Sequence, residues 1–197
     1  MFQCFMDEER RRLIMGIILV FFMVSSVFGV FVFGFNDGAS STSQRYNGHK
    51  FTIFQNQWKV ELNGEDKLFD YYPEDVDYIP VDSAVSSAFS NAKMVYFTSD
   101  VDSAMKGPIA QSTYDFNRAL VAENIHVVTA FTEENEFNLP VVTCAEATPT
   151  VPVVMLVAGD TTSVSTIGNC IVLTGDSDYS FSRLSERILY GYYGVIA

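Results

Sequence analysis

Residues 93–131 read KMVYFTSDVDSAMKGPIAQSTYDFNRALVAENIHVVTAF, and their pattern decides the fold. Lys93–Thr98, KMVYFT, is short, aromatic and partly β-branched, as strands are. Pro108 suits the first turn of a helix, where its missing N–H costs no hydrogen bond. Ile109, Phe116 and Leu120 then recur on one helical face as far as about Asn124. Ile125–Phe131, IHVVTAF, reads as a second strand. Strand, helix and strand within about 40 residues make a βαβ unit, so the two strands are expected to run parallel.

Upstream, Lys50–Gln55, Gln57–Leu62 and Lys67–Tyr71 are rich in Phe, Ile, Trp and Val with partial alternation. Asn63-Gly64 lies between the last two runs, and both residues accept the positive φ of a tight turn. The domain is therefore expected to open with an antiparallel β-hairpin, ended by Pro73. Asp82 or Ser83 can cap a short helix whose Ala84, Val85, Ala88, Phe89 and Ala92 form an apolar stripe. Beyond Pro140 the pattern turns to strands: Pro152–Ala158, Ser163–Thr166 and Asn169–Thr174, joined at Gly159-Asp160 and Gly168-Asn169. A last helix starts near Tyr179, with Ser177 or Asp178 as its cap and Phe181, Leu184, Ile188 and Tyr192 on one face. The expected class is α+β (mixed α/β): a βαβ unit and a strand-rich segment between an opening hairpin and a C-terminal helix.

Before all of this stands Leu13–Phe35, LIMGIILVFFMVSSVFGVFVFGF, 23 residues without a charge. About 20 apolar residues in a helix cross a bilayer core. Arg10, Arg11 and Arg12 precede the run, and the next positive residue is Arg45. The positive-inside rule then puts residues 1–12 in the cytoplasm, a single-pass transmembrane helix at 13–35, a polar tether at 36–49 and an extracytoplasmic domain at 50–197 in the cell membrane's outer space. A cleaved signal peptide is the competing reading, with Val27 and Gly29 before the cut. The uninterrupted Val30–Phe33 favours the anchor, and both readings place the domain outside.

The chain carries 24 Asp and Glu against 12 Lys and Arg, a net charge of −12. Residues 1–12 sum to zero, so the acidity belongs to the remainder. An acidic domain is repelled by phosphate backbones, which excludes nucleic acid as a partner class. Cys144 and Cys170 form an external pair in an oxidising space, so a structural disulfide bond is expected between them. They lack the C-x-x-C spacing of redox catalysis. Zinc would need His49 and His126 beside them. Cys4 is a juxtamembrane thiol.

The N-terminal span is combined with TCAEATPTVPVV at 143–154, GNCIVLTG at 168–175 and RILYGYYGVI at 187–196. In that combination the chain resembles small membrane-anchored proteins of reduced-genome archaea. The resemblance implies an anchored domain with a paired cysteine, and no activity.

No G-x-S-x-G, H-E-x-x-H, P-loop or G-x-G-x-x-G occurs, so no catalytic residue, cofactor or metal ligand is assigned. His126 has apolar strand neighbours, and His49 follows a turn. Carboxylates gather at Glu65, Asp66, Asp70, Glu74, Asp75, Asp77 and Asp82, with smaller sets at Asp100/Asp102, Glu133/Glu134/Glu136 and Asp176/Asp178. None has EF-hand spacing, which leaves calcium as a minor alternative to a solvated acidic surface. Phe51, Phe54, Trp58, Phe69, Tyr71 and Tyr72 crowd the opening hairpin, and such residues are enriched at interface cores. The expected function is a membrane-anchored extracytoplasmic interaction or envelope-structural module that meets another membrane or envelope protein through that hairpin. The second reading is a membrane-anchored carboxylate-based hydrolase, so enzyme status stays open.

Overall fold

The computed structural model describes residues 14–23 and 43–197. The chain divides into two units, Met1–Thr42 and Ser43–Ala197. In the first, residues 14–23 form a helix, α1, whose side chains are all exposed. Among the described residues no helix is long and apolar enough to cross a membrane. The remainder of the expected span, together with Cys4 and the three arginines, lies outside the described residues.

The second unit begins with strands β1 (Ser43–Tyr46), β2 (His49–Phe54), β3 (Gln57–Leu62) and β4 (Glu65–Phe69). They pair in sequence order as an antiparallel four-stranded sheet. The expected turn at Asn63-Gly64 is present, with φ of 53° and 81°. Two more turns of the same kind precede it: Asn47-Gly48, at 45° and 85°, and Gln55-Asn56, at 49° and 66°. Positive φ at both central residues gives the twist that two-residue hairpins need. The expected hairpin is thus corrected to a four-stranded meander. Its first strand falls inside the stretch read as tether, because SQRY is too polar to signal a strand by itself.

Helix α2 (Ser83–Ser90) is capped as expected, Asp82 accepting from the Ala84 N–H at 2.8 Å. Then come β5 (Met94–Ser99), α3 (Lys106–Ala122), β6 (His126–Phe131), β7 (Val153–Ala158), β8 (Ser163–Ile167), β9 (Cys170–Gly175) and α4 (Ser180–Tyr192). The βαβ unit is there, with β5 and β6 parallel. The later strands do not form a separate segment. β7 pairs parallel with the other edge of β5, β9 parallel with β7, and β8 antiparallel with β9, giving the order β6-β5-β7-β9-β8. The last helix takes Tyr179 as its N-cap without a side-chain bond, in place of the expected Ser177 or Asp178.

Alternation along these strands sorts two cores. Val95, Phe97, Val154, Leu156, Ile171 and Leu173 join the helices and the inner face of the meander in one large core. Val153, Cys170 and Val172, from the opposite face, pack with Ala130 and Val142. That second face is covered by the segment after β6. The segment is held by a bridge of Val141 to Phe131, by Thr98 Oγ1 donating to the Val142 carbonyl at 2.7 Å, and by the Cys144–Cys170 disulfide, with S–S at 2.04 Å and Cα atoms 5.1 Å apart.

Helix α4 buries Arg187, Ile188, Leu189 and Tyr190 in succession, more than one stripe, because it has elements on several sides. Its start approaches the end of β9 so closely that a Cβ on Gly175 would stand 2.6 Å from Ser180 Oγ and 2.7 Å from the Phe181 ring. Arg187 is 4% exposed and donates to the Ile79 and Ala197 carbonyls, each at 3.0 Å.

Candidate functional site

The aromatic set assigned to the opening hairpin divides. Phe51, Phe69 and Tyr72 are 0%, 3% and 6% exposed and belong to the large core. They cannot form an outward interface, which corrects that part of the expectation. The physical cause is the packing of the meander on the helices. The meander lays its inner face on α4, so Phe51 meets Tyr72 and Tyr190 at ring-centroid distances of 5.4 and 6.1 Å. Trp58 is half-buried against Tyr72, and Tyr71 is half-buried with the Arg183 guanidinium 5.4 Å from its ring centre. Phe54 stands out in the open beside Ile53. His126 is exposed on β6, an edge strand, and His49 starts β2 half-buried.

Two clefts collect polar side chains. The smaller, about 290 Å³, opens between β4 and helices α3 and α4 and gathers Asp70, Asp115, Arg118, Ser182 and Glu186. Burial raises the Glu186 pKa to about 8, against two backbone N–H groups, of Asp70 and Tyr71, that donate to its oxygens at 2.6 and 2.8 Å. The charges of Asp70 and Asp115 push it the same way as burial. Burial also raises the Asp115 pKa, partly offset by a hydrogen bond from Gln111 and the charge of Arg118. Two carboxyl groups with raised pKa values in one cleft are what acid–base chemistry on carboxylates uses. Yet Glu186 has both oxygens engaged by the backbone at the end of β4, which makes it a bolt between meander and helix. Lys67 lies at the cleft's rim; burial opposes its charge, but bonds to Glu123 and Glu65 at 2.7 and 2.8 Å outweigh that and raise its pKa.

The larger cleft, about 590 Å³, lies at the carboxyl ends of β5 and β6 against the first turns of α3. Phe97, Ile109, Phe131 and Phe137 supply apolar walls, Tyr114 and Asn117 polar ones. Asp100, Asp102 and Glu136 bring carboxylates, and Lys106 brings an ammonium. The loop after β5 is self-braced: Asp100 accepts from the Asp102 N–H at 2.8 Å, and the Ser103 N–H donates to the Asp100 carbonyl at 3.2 Å. Asp100 and Asp102 also line a neighbouring recess of about 260 Å³ toward the end of β7. Strand β5 leads to β6 on one side while β7 leads on to β8 and β9 on the other, so the smaller recess, between the ends of β5 and β7, lies at the switch point where open parallel sheets take ligands, and the larger cleft adjoins it.

The sequence marks Asp100, Asp102 and Glu136 as a solvated acidic surface with calcium as the alternative, and nothing in it singles out Asp115, Arg118 or Glu186. No spacing marks the last three; they meet because α3 and α4 cross, with Ser112 Oγ and Ser185 Oγ 2.6 Å apart. Among the described residues no group of His, Cys, Asp or Glu is arranged to hold a metal ion. Comparison of the chain with protein-family models, curated proteins and solved structures gives no match.

Proposed function

We propose that the chain is a membrane-anchored extracytoplasmic binding module. Its recognition site is the cleft at the carboxyl ends of β5 and β6. The observation that carries this is the cleft's place and make-up: about 590 Å³, at the carboxyl ends of two parallel strands and next to the sheet's switch point, with aromatic walls and a few convergent charges. Its chemistry suits a small ligand with a flat apolar part and a cationic group to meet Asp100, Asp102 and Glu136. The anchor reading is supported by the uncharged run 13–35 and by the bare apolar surface of α1. The external reading is supported by the Cys144–Cys170 bond.

The test is thermal-shift screening of the full chain in detergent with small aromatic amines, followed by calorimetry. Ala110→Trp, on the cleft wall and exposed, should fill the site and abolish the shift while leaving the unliganded Tm near its original value. A panel without a single binder, or a binder indifferent to the tryptophan, would refute the assignment.

A carboxylate-based hydrolase is the second reading, favoured by the raised pKa values of Asp115 and Glu186 in one cleft. It requires hydrolysis of a glycoside or peptide that disappears in Asp115→Asn.

A further inference from the structure

The meander's two ends are unlike. Register pairs Ser43 with Thr52, so the β2–β3 tip, made of the end of β2 and the turn Gln55-Asn56, projects beyond the start of β1, on the side from which the chain arrives. The end of β2 is apolar and open there, with Ile53 46% and Phe54 47% exposed. Ile53 lies opposite Trp58 across the strand pair. The Lys59 ammonium stands 5.9 Å from the centre of the Phe54 ring, and Lys50 is exposed on the same strand. Gln55 and Asn56, both at positive φ, close the turn in two residues, so the apolar pair is held on a short, stiff tip.

Single exposed apolar residues are ordinary on protein surfaces. Here two adjoin at a projecting point, with a tryptophan behind them and the Lys59 ammonium beside them. Aromatic residues with lysines whose stems lie on apolar surface are the composition of a membrane-interface contact. Chain length supplies the second argument. Eight Cα steps from Phe35 to Ser43 span at most about 28 Å. If 13–35 lies in the bilayer, the end of the meander that holds the tip is the end tied near the lipid.

We infer that the β2–β3 tip, Ile53 and Phe54 foremost, docks into the headgroup region of the bilayer that holds the anchor. The contact rests on the anchor reading above. It fixes the domain at two points, the tether and the tip, and so orients it on the membrane. The contact is apolar and does not depend on anionic lipid. Asp70 sits at the same end of the meander, bonded to Gln57 Nε2 at 2.7 Å, and would oppose a purely electrostatic approach.

Trp58 is the chain's only tryptophan and serves as a built-in probe. The full chain is reconstituted into phosphatidylcholine vesicles, isolated by flotation, and compared with vesicles containing phosphatidylcholine brominated near the top of its acyl chains. The expected result is quenching of Trp58 in the original chain and its loss in Ile53→Ser/Phe54→Ser, with flotation unchanged. A Trp58→Phe/Phe54→Trp chain moves the probe to the tip and should be quenched more strongly. Flotation without quenching in either probe overturns the tip and leaves the anchor standing. Quenching that persists in the double serine variant also overturns the tip. A chain that does not float overturns both readings together.

Discussion

Tyr190 lies flat on Phe69, with ring centroids 4.1 Å apart and 22° between planes, and its hydroxyl donates to the Tyr71 carbonyl at 2.7 Å. One side chain thus joins α4 to the end of β4 by stacking and by a hydrogen bond. Burial holds the phenol's pKa above the ordinary tyrosine value, so it stays a donor at any physiological pH. Tyr190→Phe keeps the stack but strands the carbonyl, and should cost about 1–2 kcal/mol. Tyr190→Ala should cost about 3–5 kcal/mol through the cavity it leaves. Urea unfolding of both variants separates the two contributions; equal costs would mean that the hydroxyl carries the joint.

Glu186 predicts a pH dependence. Its folded pKa, about 8, lies above its ordinary value of 4.5, so between those values the folded chain holds a proton that the unfolded chain has released. Stability from this group is therefore greatest below about 4.5, falls as pH rises toward 8, and is flat beyond. Glu186→Gln removes the titration. Tm measured from pH 5 to 9 should slope downward less in the variant than in the original chain, and parallel profiles would show that Glu186 does not titrate in this range.

The Cys144–Cys170 bond closes a loop across 26 residues. In the chain-entropy model such a loop stabilises by about 3.5 kcal/mol. Replacing both cysteines by alanine should lower stability by about that much. It should also raise hydrogen exchange in 140–149, the cover over the second sheet face, more than in β7 or β9. Uniform exchange across the domain would contradict the local role.

Gly175 predicts a steric effect. A methyl group there meets Ser180 and the Phe181 ring below 3 Å, so α4 would have to withdraw from β9. Gly175→Ala should cost about 1–3 kcal/mol, as overpacking does. Chemical denaturation checks it, and a neutral result would mean that the helix start gives way freely.

Local pattern carried most of the elements. Strand alternation in KMVYFT and IHVVTAF, the Asp82 cap and the Asn63-Gly64 turn are short-range signals, settled by backbone sterics and periodicity within a few residues. The parallel βαβ followed too, since a helix-length crossover leaves little choice of direction. Pairing of Cys144 with Cys170 was legible from the oxidising side of the chain on which both were expected to lie.

What only the tertiary structure decided is partnership between distant segments. Nothing near Val153 states that β7 pairs with β5, or that the meander covers α4; both depend on which apolar faces meet, a property of the whole chain. For the same reason Phe51, Phe69 and Tyr72 became core while Phe54 stayed outside. The meander has two faces, and packing on α4 chose the one that holds Phe51 and Phe69; Phe54, three positions after Phe51, lies on the other face with Lys59. Asp115 and Glu186 gain their raised pKa values from burial between layers, and burial is not a local quantity.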